Sequence, residues 1–118
     1  MVGENEEMDV INVDKFIDFS RDEGTLDTLE KRKGVKKDLL RAKHYNLVLV
    51  CLESGQEIPS RPEPYNVCFY VLKGSGTFTI GEEKADLSQD EMVFVPANVP
   101  RGIESRERLV VLGIQEPN

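Results

Sequence analysis

The chain carries one histidine, His44, and two cysteines, Cys51 and Cys68, in 118 residues. A single imidazole makes neither a zinc site nor a catalytic triad by itself. His44 sits in the polar stretch Arg41 to Asn46 and reads as an exposed turn residue. Both cysteines lie inside apolar runs with no histidine close in sequence to form a nucleophilic pair. They read as buried free thiols acting as small hydrophobes, and a disulfide does not suit a reducing compartment. No stretch approaches the roughly 18 apolar residues of a membrane span. The opening MVGENEE is acidic and lacks the apolar run of a secretory signal, so a cytoplasmic location is expected. Positive charge is also short. Fifteen Lys and Arg stand against 22 Asp and Glu, a net charge of −7. An acidic surface repels phosphate backbones, which argues against a nucleic-acid partner. The one basic cluster, Lys31 to Lys43, is interrupted by Asp38, Leu39 and Leu40 and reads as a solvated edge.

What is present is an ordinary soluble composition, 39% apolar and 31% charged, at a length suited to one domain with one core. Residues 1–34 are expected to form a cover segment of that domain. Within it, residues 1–8 read as unstructured, Asp9 to Val13 as a short strand or cover, and Asp14 as the cap of a short helix through Phe19. Val13, Phe16 and Ile17 share a face of that helix. A second short helix is expected over Thr25 to Lys33, with Leu26 and Leu29 spaced for one face and Gly34 ending it. From Val35 the pattern changes to short β-forming runs: Val35 to Leu40, Leu47 to Glu53, Val67 to Leu72, Gly76 to Ile80, Lys84 to Leu87, Met92 to Val95, Gly102 to Glu104 and Arg108 to Ile114. Gly-, Asn-, Asp- or Pro-bearing turns separate most of them. This spacing predicts an all-β barrel or double-sheet jelly roll over residues 35–118.

Two stretches carry more than strand propensity. In GQEIPSRPEPYNVCFYVLKG, Gly55 to Gly74, a Pro-broken loop enters the apolar run Val67 to Leu72 and stops at a glycine turn. In Met92 to Gly102, a second apolar strand runs into a Pro/Gly loop. Together they resemble the two motifs of the cupin family. The first motif runs Gly, five residues, His-x-His, three or four residues, Glu, six residues, Gly. Gly55 and Gly74 fit its glycines. The second runs Gly, five residues, Pro-x-Gly, two residues, His, three residues, Asn, and Pro96 fits its proline. The resemblance implies a cupin-type double-stranded β-helix, a jelly-roll barrel with a short N-terminal strand or helix cover.

The departures from the motifs bear on function. The resemblance places the family's metal ligands at Arg61, Glu63, Val67 and Arg101. The glycines of the second motif become Asp90 and Asn98, and its asparagine becomes Ser105. A guanidinium has no lone pair for a metal, and its planar fork of donors suits carboxylates and phosphates. No metal and no cofactor are therefore expected. By strand alternation Phe69 and Val71 share the face of Val67, while Cys68, Tyr70 and Leu72 point the other way. The candidate ligand-binding set is Arg61, Glu63, Val67, Phe69 and Arg101, for a small and anionic molecule in the barrel. Arg61 paired to Glu63 as a plug, or arginines turned to solvent, are the competing readings of the same residues. Tyr65 and Tyr70 read as core or rim packing. An isomerase, epimerase or lyase acting on a small carboxylate or sugar, and a scaffold barrel without a site, remain the alternative functions. Because Val67 to Leu72 is apolar on both faces, and cupins commonly pair barrels, a homodimer is expected.

Overall fold

The computed structural model describes residues 2–3, 8–19 and 34–117. Among them are ten strands: β1 (Val2–Gly3), β2 (Val35–Arg41), β3 (Asn46–Leu52), β4 (Glu57–Arg61), β5 (Val67–Lys73), β6 (Ser75–Ile80), β7 (Glu83–Ser88), β8 (Met92–Val95), β9 (Arg101–Ser105) and β10 (Leu109–Gln115). They form two sheets, one in the order β1-β2-β3-β10-β5-β8 and one in the order β4-β9-β6-β7. Every pairing is antiparallel except β1 with β2. This is the all-β jelly roll that the strand spacing and the motifs imply.

The inner faces of the sheets pack on one another. Val50 and Leu52 from β3, Val67, Phe69 and Val71 from β5, and Leu109 and Val111 from β10 meet Phe78 from β6 and Ile103 from β9. Phe69 and Phe78 join the sheets directly, with ring centroids 5.8 Å apart. β5 alternates buried and half-buried along its length, so Cys68, Tyr70 and Leu72 lie on the outer face. The outer face carries a second apolar cluster of Leu39, Leu49, Cys51 and Val110. Ile11, Val13, Phe16, Ile17 and Phe19 of the N-terminal segment pack against it. β3 and β10 are therefore apolar on both faces for different reasons: barrel core on one side, the cover on the other.

Several local expectations are corrected. Val13, Phe16 and Ile17 do share a face, but the element is a 3-10 turn over Val13–Phe16. Asn12, not Asp14, occupies the cap position, and its side chain makes no capping bond. Of the two alternatives for residues 9–13, strand or cover, the second holds, with Ile11 and Val13 packed on the outer cluster. Val2 and Gly3 pair with Leu40 and Arg41 instead of being unstructured. The helix expected over Thr25 to Lys33 lies outside the described residues. Cys51 is a buried free thiol, whereas Cys68 is only half-buried. The Pro-rich segment expected to be loop contains β4. Pro59 is tolerated there because β4 is the edge of its sheet, where one row of backbone groups needs no partner. The register of β4 against β9 also shifts between Ile58 and Arg61.

Candidate functional site

At one end the barrel interior is not filled. A cavity of about 60 Å³ opens there, walled by Val48, Val50, Ile58, Phe69 and Ile103, with Lys36, Arg61, Glu63, Tyr65, Arg101 and Gln115 around its polar part. Four of the five candidate residues come together at this cavity: Arg61, Glu63, Phe69 and Arg101. Val67 does not line it, being 1% exposed within the packed core.

The two arginines occupy different environments. Arg61, at the end of β4, points its side chain largely to solvent and pairs through Nε with Glu63 Oε1 at 2.7 Å. Arg101, at the start of β9, is 5% exposed. Its guanidinium donates to four backbone carbonyls: Val99 at 3.1 Å, Tyr65 at 2.9 Å, Pro96 at 2.9 Å and Glu63 at 3.4 Å. It also lies over the Tyr65 ring, 5.3 Å from the centroid. Arg101 therefore clamps the loop before β5 to the loop before β9. Asn66 reinforces the clamp by accepting from the Ala97 N–H, and the Asn98 N–H donates to the Glu63 carbonyl.

Buried beside these charges, Tyr65 has its pKa raised. Desolvation is the largest cause and Glu63 adds to it, while Arg101 and Arg61 pull the other way. The phenol stays neutral well above neutral pH. Tyr70 is also raised, by its hydrogen bond to Asp90 at 2.8 Å, but it lies on the outer face away from the cavity.

The motif's departures keep its backbone. Gly55 and Gly74, the glycines that match, have φ +84° each. Asp90 and Asn98 stand where the second motif has glycine, and among the described residues they are the two non-glycine residues with positive φ, 71° and 69°. Asn and Asp are the side chains that best tolerate this left-handed conformation. Ser105, at the asparagine position, is buried and donates to the carbonyl of Glu53, holding β9 to the turn before β4. The donor set at the metal positions does not fit a metal. Two guanidiniums and a valine offer no lone pair, and the one carboxylate is engaged by Arg61. Among the described residues no group of three or more His, Cys, Asp or Glu could hold an ion.

Lys36 and Gln115 were not legible as site residues. Lys36 pairs with Val50 and so shares the inward face of β3, a fact hidden until the register is known. Gln115 has a visible signal. On β10 the inward positions run Leu109, Val111, Gly113 and Gln115, so the apolar pattern breaks at the cavity end. Gly113 stands between Val48 and Phe69, and a Cβ there would come within 2.7 Å of Val48 Cγ2. With no side chain at 113, Val48 and Phe69 pack down onto the β10 backbone.

The family model described as "Cupin domain" matches residues 48–114. An uncharacterised protein of Streptomyces coelicolor is 27% identical over 78 residues, covering 63% of this chain and 74% of its own length. Among solved structures, a protein of Thermus thermophilus superposes with a TM-score of 0.78 at 20% identity, covering 93% of this chain and 98% of the other. A double-stranded β-helix protein of Klebsiella pneumoniae gives 0.77 at 17% identity, covering 94% and 91%. An RmlC-like cupin of Shewanella frigidimarina gives 0.67 at 17% identity, covering 70% and 75%. At these identities the structures speak for the fold. With a family match that spans more than half of the chain, strands in jelly-roll order and both motif backbones in place, the chain belongs to the cupin family.

Proposed function

We propose that this cupin is a metal-independent binding protein that takes a small anion into the open end of its barrel, acting in the cytoplasm as a homodimer. The observation that carries the reading is local charge. A chain of net charge −7 gathers Lys36, Arg61 and Arg101 around one cavity, against the single carboxylate Glu63. Arg101 spends most of its donors on carbonyls, so the contacts offered to a ligand come from Arg61 and Lys36 at the rim. The apolar wall receives the rest of the molecule. A charge-assisted hydrogen bond at a partly desolvated rim contributes about 1.5–3 kcal/mol.

Thermal-shift measurement with acetate, butyrate, citrate and inorganic phosphate tests this reading. At least one anion is expected to raise the melting temperature of the wild type, since a ligand at 100 times its Kd adds about 2.7 kcal/mol of stability. The shift should shrink in Arg61→Gln and again in Arg61→Gln with Lys36→Gln. Failure of every anion to stabilise the wild type, or an undiminished response in the double variant, would sink it. A catalytic reading has one observation in its favour, the buried neutral Tyr65 as an acid facing the cavity. A turnover screen on small carboxylates and sugars with Tyr65→Phe as control separates it from simple binding.

A further inference from the structure

The cavity holds two neutral polar groups as well as its charges. Tyr65 is 7% exposed and Gln115 8%, and both line the open end. Among the described residues neither the Tyr65 hydroxyl nor the Gln115 amide makes a hydrogen bond, and every fully enclosed side-chain nitrogen or oxygen is satisfied. The two groups must therefore touch the cavity's open space. A hydroxyl and an amide that face such space without protein partners are completed by water or by a ligand. Both can donate and both can accept, so together they suit a neutral oxygen, either hydroxyl or carbonyl. Tyr65 keeps its proton because its pKa is raised, which preserves its donor.

Size limits the class further. About 60 Å³ accommodates roughly four to six water-sized groups, at ~10–15 Å³ each. A sugar nucleotide or a long acyl chain does not fit within the walls. Val48 and Phe69 line the cavity and present carbon. Resting on the anion reading above, we infer that the ligand is a short carboxylate of about three to five carbons that carries a second, neutral oxygen, a hydroxy- or oxo-acid. Its carboxylate meets Arg61 and Lys36 at the rim, its carbon chain meets Phe69 and Val48, and its second oxygen lies between Tyr65 and Gln115.

Titration calorimetry on the full chain with butyrate, 2-hydroxybutyrate, 3-hydroxybutyrate and 2-oxobutyrate tests the inference. One of the three oxygenated acids is expected to bind at least about tenfold tighter than butyrate, the effect of one or two well-made hydrogen bonds. Tyr65→Phe keeps the ring under Arg101, and Gln115→Met keeps the side-chain volume, so neither should disturb the fold. In the combined variant the preference should fall below about threefold. Equal binding of butyrate and all three oxygenated acids to the wild type overturns the inference and leaves the anion reading standing. So does a preference that survives in the combined variant. Binding of none of these acids, together with no response to acetate or phosphate, overturns both.

Discussion

The barrel has a packed end and an open end, built from the same strands. On β10, Leu109 and Val111 are fully buried at one end, and Gly113 and Gln115 face inward at the other. On β5, Val71 is buried against Val111, while Phe69 lies opposite Gly113 and borders the cavity. Phe78 and Leu52 complete the packed end with essentially no exposure. The contrast teaches where cohesion and binding capacity reside. Ordinary β-forming apolar residues close the barrel at one end, and on β10 the apolar series gives way to an amide, Gln115, at the cavity. The charges collect at the open end, where backbone carbonyls of two loops are within reach of one guanidinium.

The largest expected effect sharpens that contrast. Phe78→Ala should cost about 3–5 kcal/mol, because the ring is enclosed on all sides and its removal leaves a cavity. Phe69→Ala should cost less, since its ring already borders open space and loses fewer contacts. Urea denaturation of both variants measures the gap, and equal losses would mean that the two ends are equally packed. Next come the arginines. Arg101→Ala should cost about 2–5 kcal/mol by leaving carbonyls of Tyr65 and Pro96 without their buried donor. Arg61→Ala should stay within about 1 kcal/mol, as expected for a largely exposed ion pair. If Arg61→Ala were the more damaging of the two in thermal denaturation, the assignment of clamp and rim would be reversed.

A smaller effect comes from pH. The folded-state pKa of Tyr65 lies above its unfolded value, so its contribution to stability is intact below about pH 10 and is lost as pH rises through the raised value. Stability should fall at alkaline pH, and Tyr65→Phe should flatten that fall. Tyr70 shifts in the same direction through Asp90, so the comparison is made in a Tyr70→Phe background.

The outer face of the six-stranded sheet repeats the division. Its β2, β3 and β10 portion lies under the N-terminal segment, whereas Met92 and Phe94 on β8 and Ile114 on β10 are exposed. Cys68 on β5 sits between Ile114 and Phe94 in the register, so these side chains form one patch beside the free edge of β8. A second copy of the chain meeting this patch would form the proposed homodimer. Light scattering at micromolar concentration is expected to give twice the chain mass for the wild type and the chain mass for Phe94→Asp, with little change in the stability of the monomer. A wild type of single mass would remove the dimer from the proposal.

Much of the fold was legible in the sequence. Alternation and turn residues located eight of the strands from Val35 onward, because a pleated half-buried strand imposes a period of two on side chains. β4 escaped this reading, since Pro59 and Pro62 carry a loop signal and only the edge position makes a proline in a strand acceptable. The motif spacing also brought Arg61, Glu63 and Arg101 to one place ahead of any geometry.

The sequence by itself determined that three of the family's four metal positions, Arg61, Val67 and Arg101, offer no lone pair to a metal, because neither a guanidinium nor an alkyl side chain has one to give. Strand parity, likewise a property of the chain, put Phe69 and Val71 on the face of Val67, which the cupin resemblance turned to the interior. Tertiary structure alone decided that Arg61 is an exposed partner of Glu63 while Arg101 is a buried clamp, since identical guanidiniums differ only in the carbonyls that surround them. It alone brought Lys36 to the rim through its pairing with Val50, because the register between strands depends on packing across the sheet. It also brought the Tyr65 hydroxyl and the Gln115 amide to one cavity, with no hydrogen-bond partner among the described residues, because the segments that carry them meet only in the folded barrel.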